Sequence, residues 1–459
     1  MSRIVKRNKA LSVSPLKASS TMGATLAFMG MADTISMLHG AQGCTAFGKI
    51  FLISHFREPM PLQTTAMDQV STVMGADGNV VEGLKVICQK LAPALIGIPT
   101  TGLSETQGSD SFGAVNEFRQ HYPEFAKTAV VPVETPDYSG CLESGFAKAA
   151  AAMIDQLVPE AQAKGGVSSN RQVNVLVNAS LTPGDIEELK EIIEAFDLIP
   201  IVIPDLSGSL DGHLTKSDFS ALTTGGASVD DFEFLHKARA TLVIGDSLKA
   251  AADLLHRRIG VPDTRFNHLM GLKAVDQFIQ ALHEISGNPV PARLERQRSQ
   301  LQDAMLDSHF HLGMRRVAVA GDPDLLIAFS DLLDGIGAEL VAAVSPSNAA
   351  ILEHVNASEV KIGDLEELAR FEGTELIIGN AHCSAAAERL GVPLLRAGFP
   401  QFDRMGAPAR NWIGYRGSRQ TLFELSNMLI ETEAQTIAPY RSIYAQRQDQ
   451  ESGHTARPQ

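Results

Sequence analysis

The chain predicts an α/β protein of three Rossmann-like domains, with mainly parallel sheets flanked by helices, and three observations carry that expectation. Short β-branched runs alternate with helical periodicity between residues 173 and 246, and the same alternation restarts at Arg316. The length of 459 residues suits roughly three domains of about 150 residues each.

Residues 173–177 are short and rich in valine, as a strand buried in a sheet should be. Thr182, Pro183, Gly184 and Asp185 then read as an N-cap, a proline at the first helical position and an acid three residues after the cap. Ile186, Leu189, Ile193 and Phe196 follow at helical spacing. Residues 199–203 return as a strand, and 241–246 open another strand-to-helix unit. In the last third, 316–320 is a strand, 321–324 a turn into a helix and 376–380 a later strand. A βαβ alternation of this kind requires a parallel sheet with helices on its faces. The polar segment 165–170 and the charged stretch 293–307 place boundaries near 165 and 305. The expected domains are therefore 1–165, 166–305 and 306–459, with a loose polar end from 446.

The first 32 residues hold no acid and carry Arg3, Lys6, Arg7, Lys9 and Lys17 ahead of the apolar run 22–32. A basic arm leading into a buried first helix is expected rather than a signal peptide, because no small-x-small cleavage site follows. The run is also well short of the about 20 residues that cross a membrane. A net charge of −14 argues against a nucleic-acid surface. The four cysteines, at 44, 88, 141 and 383, form no CxxC pair and no disulfide framework, so a reducing cytoplasm is the expected location.

Cys44 closes the run His39, Gly40, Ala41, Gln42, Gly43, Cys44, and His55 and Arg57 follow closely. A glycine just before a cysteine lets a bulky inorganic group approach the main chain, with the thiolate presented at a surface. Taken alone, a lone cysteine is more often a small buried hydrophobe, and that plainer reading stands at this point. Gly43 to Ile50 nearly matches a phosphate-cradling loop, but Ile50 occupies the place of the hydroxyl that should reach magnesium. The Gly-Asp strand ends at 245–246 and 321–322 lack a G-x-G-x-x-G and read as ordinary strand-to-helix turns. His382 and Cys383 are adjacent on what reads as a strand end, point to opposite faces and do not chelate together.

The string around Cys44 resembles the nitrogenase component 1 β-like family, in which a Gly-Ser-Gln-Gly-Cys segment supplies an iron–sulfur ligand. Residues 97–105, 131–140 and 398–404 resemble the same family, so the likeness spans most of the chain. In catalytic β-subunits three cysteines help hold an eight-iron cluster. Only the middle one is matched, by Cys44; the others fall at Ser19 and Gly102, which have no thiolate to give. The resemblance therefore implies the scaffold branch of the family, on which the nitrogenase iron-molybdenum cofactor is matured, with the nitrogenase component 1 fold.

It further implies an α2β2 heterotetramer with a NifE-like α-subunit and a [4Fe-4S] cluster at each α/β interface, one corner on Cys44 and three on the partner. The iron-molybdenum cofactor precursor would be held mainly by that partner, and the ATP-hydrolysing iron protein would dock transiently. Cys44 is the one metal ligand assigned, and no catalytic residue is assigned. Whether Cys141 serves as an auxiliary ligand stays open, Cys88 and His382 stand as structural, and His39, His55 and Arg57 as residues that shape and charge-balance the interface. Two other readings stay open: a catalytic β-subunit of a nitrogenase-like reductase, and a small-ligand-binding α/β module, which a colourless, iron-free monomer would favour.

Overall fold

Every residue of Gln172–Val177 is buried, and so is every residue of Leu95–Pro99 and Ala240–Ile244, the signature of strands covered on both faces by helices. The computed structural model describes residues 2–7, 14–159, 171–214, 220–371 and 373–436. The 165–170 segment and the end from 446 lie outside them.

The chain begins β1 (Arg3–Lys6), α1 (Ser20–Met29), β2 (Thr34–Leu38), α2 (Gln42–Phe56), β3 (Leu62–Thr64) and α3 (Gln69–Met74). It goes on through α4 (Asp77–Leu91), β4 (Leu95–Pro99), α5 (Gly102–Gln107), α6 (Ser111–His121), β5 (Ala129–Val133) and α7 (Leu142–Leu157). Next come β6 (Gln172–Val177), α8 (Pro183–Glu194), β7 (Ile199–Ile203), α9 (Asp231–Phe234), β8 (Ala240–Ile244), α10 (Lys249–Ile259), β9 (Asp263–Phe266) and α11 (Leu272–Ser286). The last third holds α12 (Ala292–Leu312), β10 (Arg316–Ala320), α13 (Pro323–Ile336), β11 (Glu339–Ser345) and β12 (Glu359–Ile362). It ends with β13 (Leu376–Gly379), α14 (Ser384–Leu390), β14 (Leu394–Arg396) and α15 (Gly414–Thr436).

Three sheets result, ordered β3-β2-β4-β5, β7-β6-β8-β9 and β1-β12-β11-β10-β13-β14. Every strand pair among the described residues is parallel. In each sheet the winding direction reverses once, between β2 and β4, between β6 and β8, and between β10 and β13. Those three points open crevices beyond the carboxyl ends of the strands, where α/β proteins place their chemistry.

Two elements differ from the sequence expectation. The basic arm is not free: residues 3–6 form β1 and extend the third sheet, pairing Arg3 with Glu359 through Lys6 with Ile362. The charged stretch 293–307 is not a linker but most of α12, so residue 305 falls inside a 21-residue helix. Leu294, Leu301, Ala304, Ser308 and Leu312 bury one narrow face of it, and the charges occupy the rest of the circumference. Arg419 Nη1 donates to Gln300 Oε1 at 2.6 Å and Arg315 pairs with Glu433, so α15 lies along α12 in parallel.

The expected buried first helix is α1, in which nine of ten residues are buried. It packs against α7 at the closest approach two backbones allow. A Cβ on Gly23 would sit 1.8 Å from Leu142 O, and one on Gly145 would sit 1.8 Å from Ser20 O. Because the obstacle is backbone, Gly145→Ala must separate the helices. It is expected to lower stability by about 1–3 kcal/mol, read as a fall in the urea midpoint at unchanged slope.

Candidate metal centre

The first sheet aims its switch point outward. β2 ends at Leu38, and His39, Gly40 and Ala41 turn the chain into α2, whose third residue is Cys44. The Cys44 thiol is exposed, whereas Cys88, Cys141 and Cys383 are 3%, 1% and 0% exposed. Cys44 N donates to Ala41 O at 3.2 Å, and the helix has no side-chain N-cap, so its first N–H groups are left to favour a negative thiolate. Against them, partial burial and then the Asp137 carboxylate push the thiol pKa up. A metal ion would have to displace that proton.

Asp137 gathers the neighbouring segments. Its Oδ1 accepts from Thr21 Oγ1 at 2.8 Å and its Oδ2 from Gly102 N at 3.3 Å. The first turns of α1 and α5 therefore meet at this carboxylate, which also faces Cys44. Ser19 is the N-cap of α1, its hydroxyl accepting from Met22 N, and Gly102 opens α5. Asp137 lies in the 131–140 segment that carries the family likeness, and its place beside the thiol emerges only in the folded chain.

An apolar face spreads outward from the thiol. Phe47, Ile50 and Ile53 follow Cys44 on α2 at helical spacing and are exposed, Phe47 to 66%. Met67 N donates to Gly40 O, which sets the start of α3 close to the start of α2, and α3, packed against α5, presents Val70, Val73 and Met74, with no residue buried. Contiguous exposed apolar side chains of this kind mark a surface that another molecule covers.

His39 is fully buried behind the thiol, and burial pushes its pKa down to about 4, so the imidazole shapes the site without adding charge. His55 and Arg57 do not reach the centre: the α2 axis carries them about 16 Å or more from Cys44. His55 Nδ1 instead accepts from Gln401 N at 2.9 Å, with its ring edge-on to Phe56 and Phe399, and burial pushes its pKa down to about 4. Arg57 Nη2 donates to Phe402 O at 2.9 Å. Both tie the far end of α2 to the segment after β14.

The near-match to a phosphate loop, Gly43 to Ile50, lies inside α2, where the later backbone N–H groups serve the helix ladder. His382 and Cys383 lie on a single helical turn rather than on a strand; Cys383 is fully buried, its pKa pushed up to about 12 by burial, and His382 sits edge-on to Phe402. The buried Cys141 takes a hydrogen bond at 3.1 Å from Ser347 Oγ.

The other two switch points face each other. Asp324, at the start of α13, accepts from Asn178 Nδ2 at 2.9 Å, Asp246 N at 3.0 Å and Ser247 Oγ at 2.6 Å. Its own N–H donates to Glu143 Oε2 at 2.8 Å, so residues of all three parts of the chain meet in one buried cluster. The two Gly-Asp turns, read separately in the sequence, thus meet through Asp324, which fills the space beside Gly245. Burial first, then neighbouring carboxylates, pushes the Glu143 pKa well up, and Asp322 and Asp324 rise to about 6.

Among the described residues no group of three or more His, Cys, Asp or Glu is placed to hold a metal ion, and no helix is long and apolar enough to cross a membrane. The donor set of this face is one soft thiol, which fits a single corner of an iron–sulfur cluster and no more.

Comparison with known proteins leads to the same fold. The chain is 42% identical over 433 residues to the Bradyrhizobium diazoefficiens protein named "Nitrogenase iron-molybdenum cofactor biosynthesis protein NifN", covering 94% of this chain and 92% of that one. It is 44% identical over 445 residues to the Klebsiella pneumoniae protein of the same name, covering 96% of each. A solved chain described as "Nitrogenase Cp1 at pH 6.5" superposes with a TM-score of 0.87 at 29% identity, covering 96% of this chain and 98% of that one. Residues 19–430, a span that includes Cys44 and every strand but β1, match the profile described as "Nitrogenase component 1 type Oxidoreductase". With the sheets, the outward switch point and these similarities in agreement, the chain belongs to the nitrogenase component 1 type oxidoreductase family.

Proposed function

We propose that this chain is the β-like subunit of the scaffold on which the nitrogenase iron-molybdenum cofactor is matured, acting with a NifE-like α-subunit in an α2β2 heterotetramer. Cys44 supplies one thiolate to a [4Fe-4S] cluster shared across the α/β interface, and the partner supplies three. The observation that carries this reading is the exposed thiol at the rim of an uncovered apolar face on α2 and α3, while the other three thiols are buried. A lone ligand beside an apolar docking surface is what a shared site requires of one partner.

When bound, the cluster supplies one-electron transfer. This chain's residues do the rest: α2 presents the thiol, Asp137 places a negative charge beside it, and the apolar face excludes water once covered. The precursor of the iron-molybdenum cofactor is held mainly by the partner, and the nitrogenase iron protein docks transiently. Four unpaired cysteines suit the reducing cytoplasm in which such a complex would work.

The test is anaerobic purification of the chain with and without its α-like partner, followed by iron and acid-labile sulfide counts. The chain made alone is expected to carry no stoichiometric iron, and the co-purified complex to carry it. A four-iron cluster on the isolated chain would overturn the shared site.

A further inference from the structure

Resting on that reading, we propose that His39 is the positioning residue of the site: its buried ring and main chain hold the two turns that frame Cys44, and so aim the thiol. The ring bonds on both sides, Nδ1 with Thr65 Oγ1 at 3.0 Å and Nε2 with Ser109 Oγ at 2.6 Å. Ser109 gives its hydroxyl proton to Asp77 Oδ1, so toward His39 it accepts, and the ring proton lies on Nε2. Thr65 then donates to Nδ1 and accepts from Gly40 N at 3.1 Å. The main chain of His39 works on the second turn: its carbonyl accepts from Thr101 N, Thr101 Oγ1 and Ser104 Oγ, which fixes the start of α5.

The imidazole thus joins the end of β2, the segment after β3, the start of α4 and the turn before α6, and the carbonyl of the same residue adds the start of α5. Gly40 to Gly43 lead from it to the thiol on one side, and Gly102 lies on the other. A chain that gives a cluster three thiolates orients them partly by chelation. A chain that gives one must aim it by the residues behind it. A buried, fully partnered polar network suits that task, because it admits one geometry where an apolar filler would admit several.

The test uses the full-length chain alone, so it does not depend on a cluster. The probes are the alkylation rate of Cys44 by N-ethylmaleimide, followed by mass spectrometry, and amide hydrogen exchange at residues 40–47 and 101–104. His39→Leu removes the ring bonds and keeps the carbonyl, so it is expected to speed exchange at residues 40–47 by about tenfold, the effect of losing roughly one buried hydrogen bond, and to change the alkylation rate in step, while residues 101–104 change less. His39→Gln, which keeps a donor and an acceptor, is expected to restore both, and Ser109→Ala to give a smaller change in the same direction. Unchanged exchange and alkylation in a folded His39→Leu chain would overturn the proposal. Should that variant not fold, unchanged values in Ser109→Ala would do so. A wild-type complex without iron would instead sink the shared-cluster reading and leave this one to be decided on the chain alone.

Discussion

Cys44→Ala, purified without oxygen together with the α-like partner, is expected to lose the paramagnetic signal of the [4Fe-4S] cluster or to retain only a labile three-iron form. Alanine offers no donor atom, and the iron at that corner has no second cysteine of this chain within reach. The fold is expected to survive, because the side chain is exposed and such substitutions shift stability by about 0.5 kcal/mol or less. Cys88→Ala and Cys383→Ala remove thiols 3% and 0% exposed, and are expected to leave the signal unchanged. Cys141→Ala is expected to do the same, since its sulfur is buried and accepts from Ser347 Oγ. Full iron content and an unchanged spectrum in Cys44→Ala would show that the residue is not a ligand.

The second large effect is expected at the cluster formed by Glu143, Asp322 and Asp324. Asp324→Ala strands Asn178, Ser247 and the N–H of Asp246 in a buried place, each unsatisfied group costing roughly 1–3 kcal/mol. Partial relief from the repulsion of Glu143 leaves an expected loss of about 2–4 kcal/mol by urea unfolding. The pH dependence runs the other way from that of a salt-bridged carboxylate. Folding raises the pKa of all three acids, Asp322 and Asp324 to about 6, so the folded state holds protons that the unfolded chain has released. Their contribution is fully present below the unfolded values near 4 and declines as pH rises through about 6, with Glu143 extending the decline upward. Glu143→Gln keeps a carbonyl for Asp324 N and removes one charge. It is expected to flatten the fall in melting temperature between pH 5 and pH 8, and a slope equal to that of the wild type would refute this account.

The interior strands were legible in the sequence because a parallel strand buried on both faces must be a short β-branched run, and 173–177 and 241–244 are such runs. The start of α8 was legible too, since Thr182 and Asp185 cap each other as their spacing foretells, at 3.0 Å in both directions. α12 was hidden by its charges, because one narrow apolar face suffices to seat a helix on a neighbour. Cys44 stood out by its setting, but its exposure did not: Phe47, Ile50 and Ile53 look like core in one dimension, and only the fold turns them outward. The acidic cluster was illegible for the opposite reason, as carboxylates far apart in the chain read as solvated until three segments bring them together.

β1 bears on how the protein is made. Arg7 Nη1 pairs with Asp364 across 357 residues of chain, and Ser2 bonds to Leu352 and Glu353. During synthesis the first strand leaves the ribosome long before the edge it must join exists. The first two sheets can close while residues 3–6 wait, and β1 can pair only when β12 has emerged. The leading residues then act as a late clasp between the oldest and some of the youngest parts of the polypeptide. Any disturbance of residues 3–6 would be felt at the edge of the last sheet to assemble, and sparing that segment from proteolysis until then becomes a condition for yield.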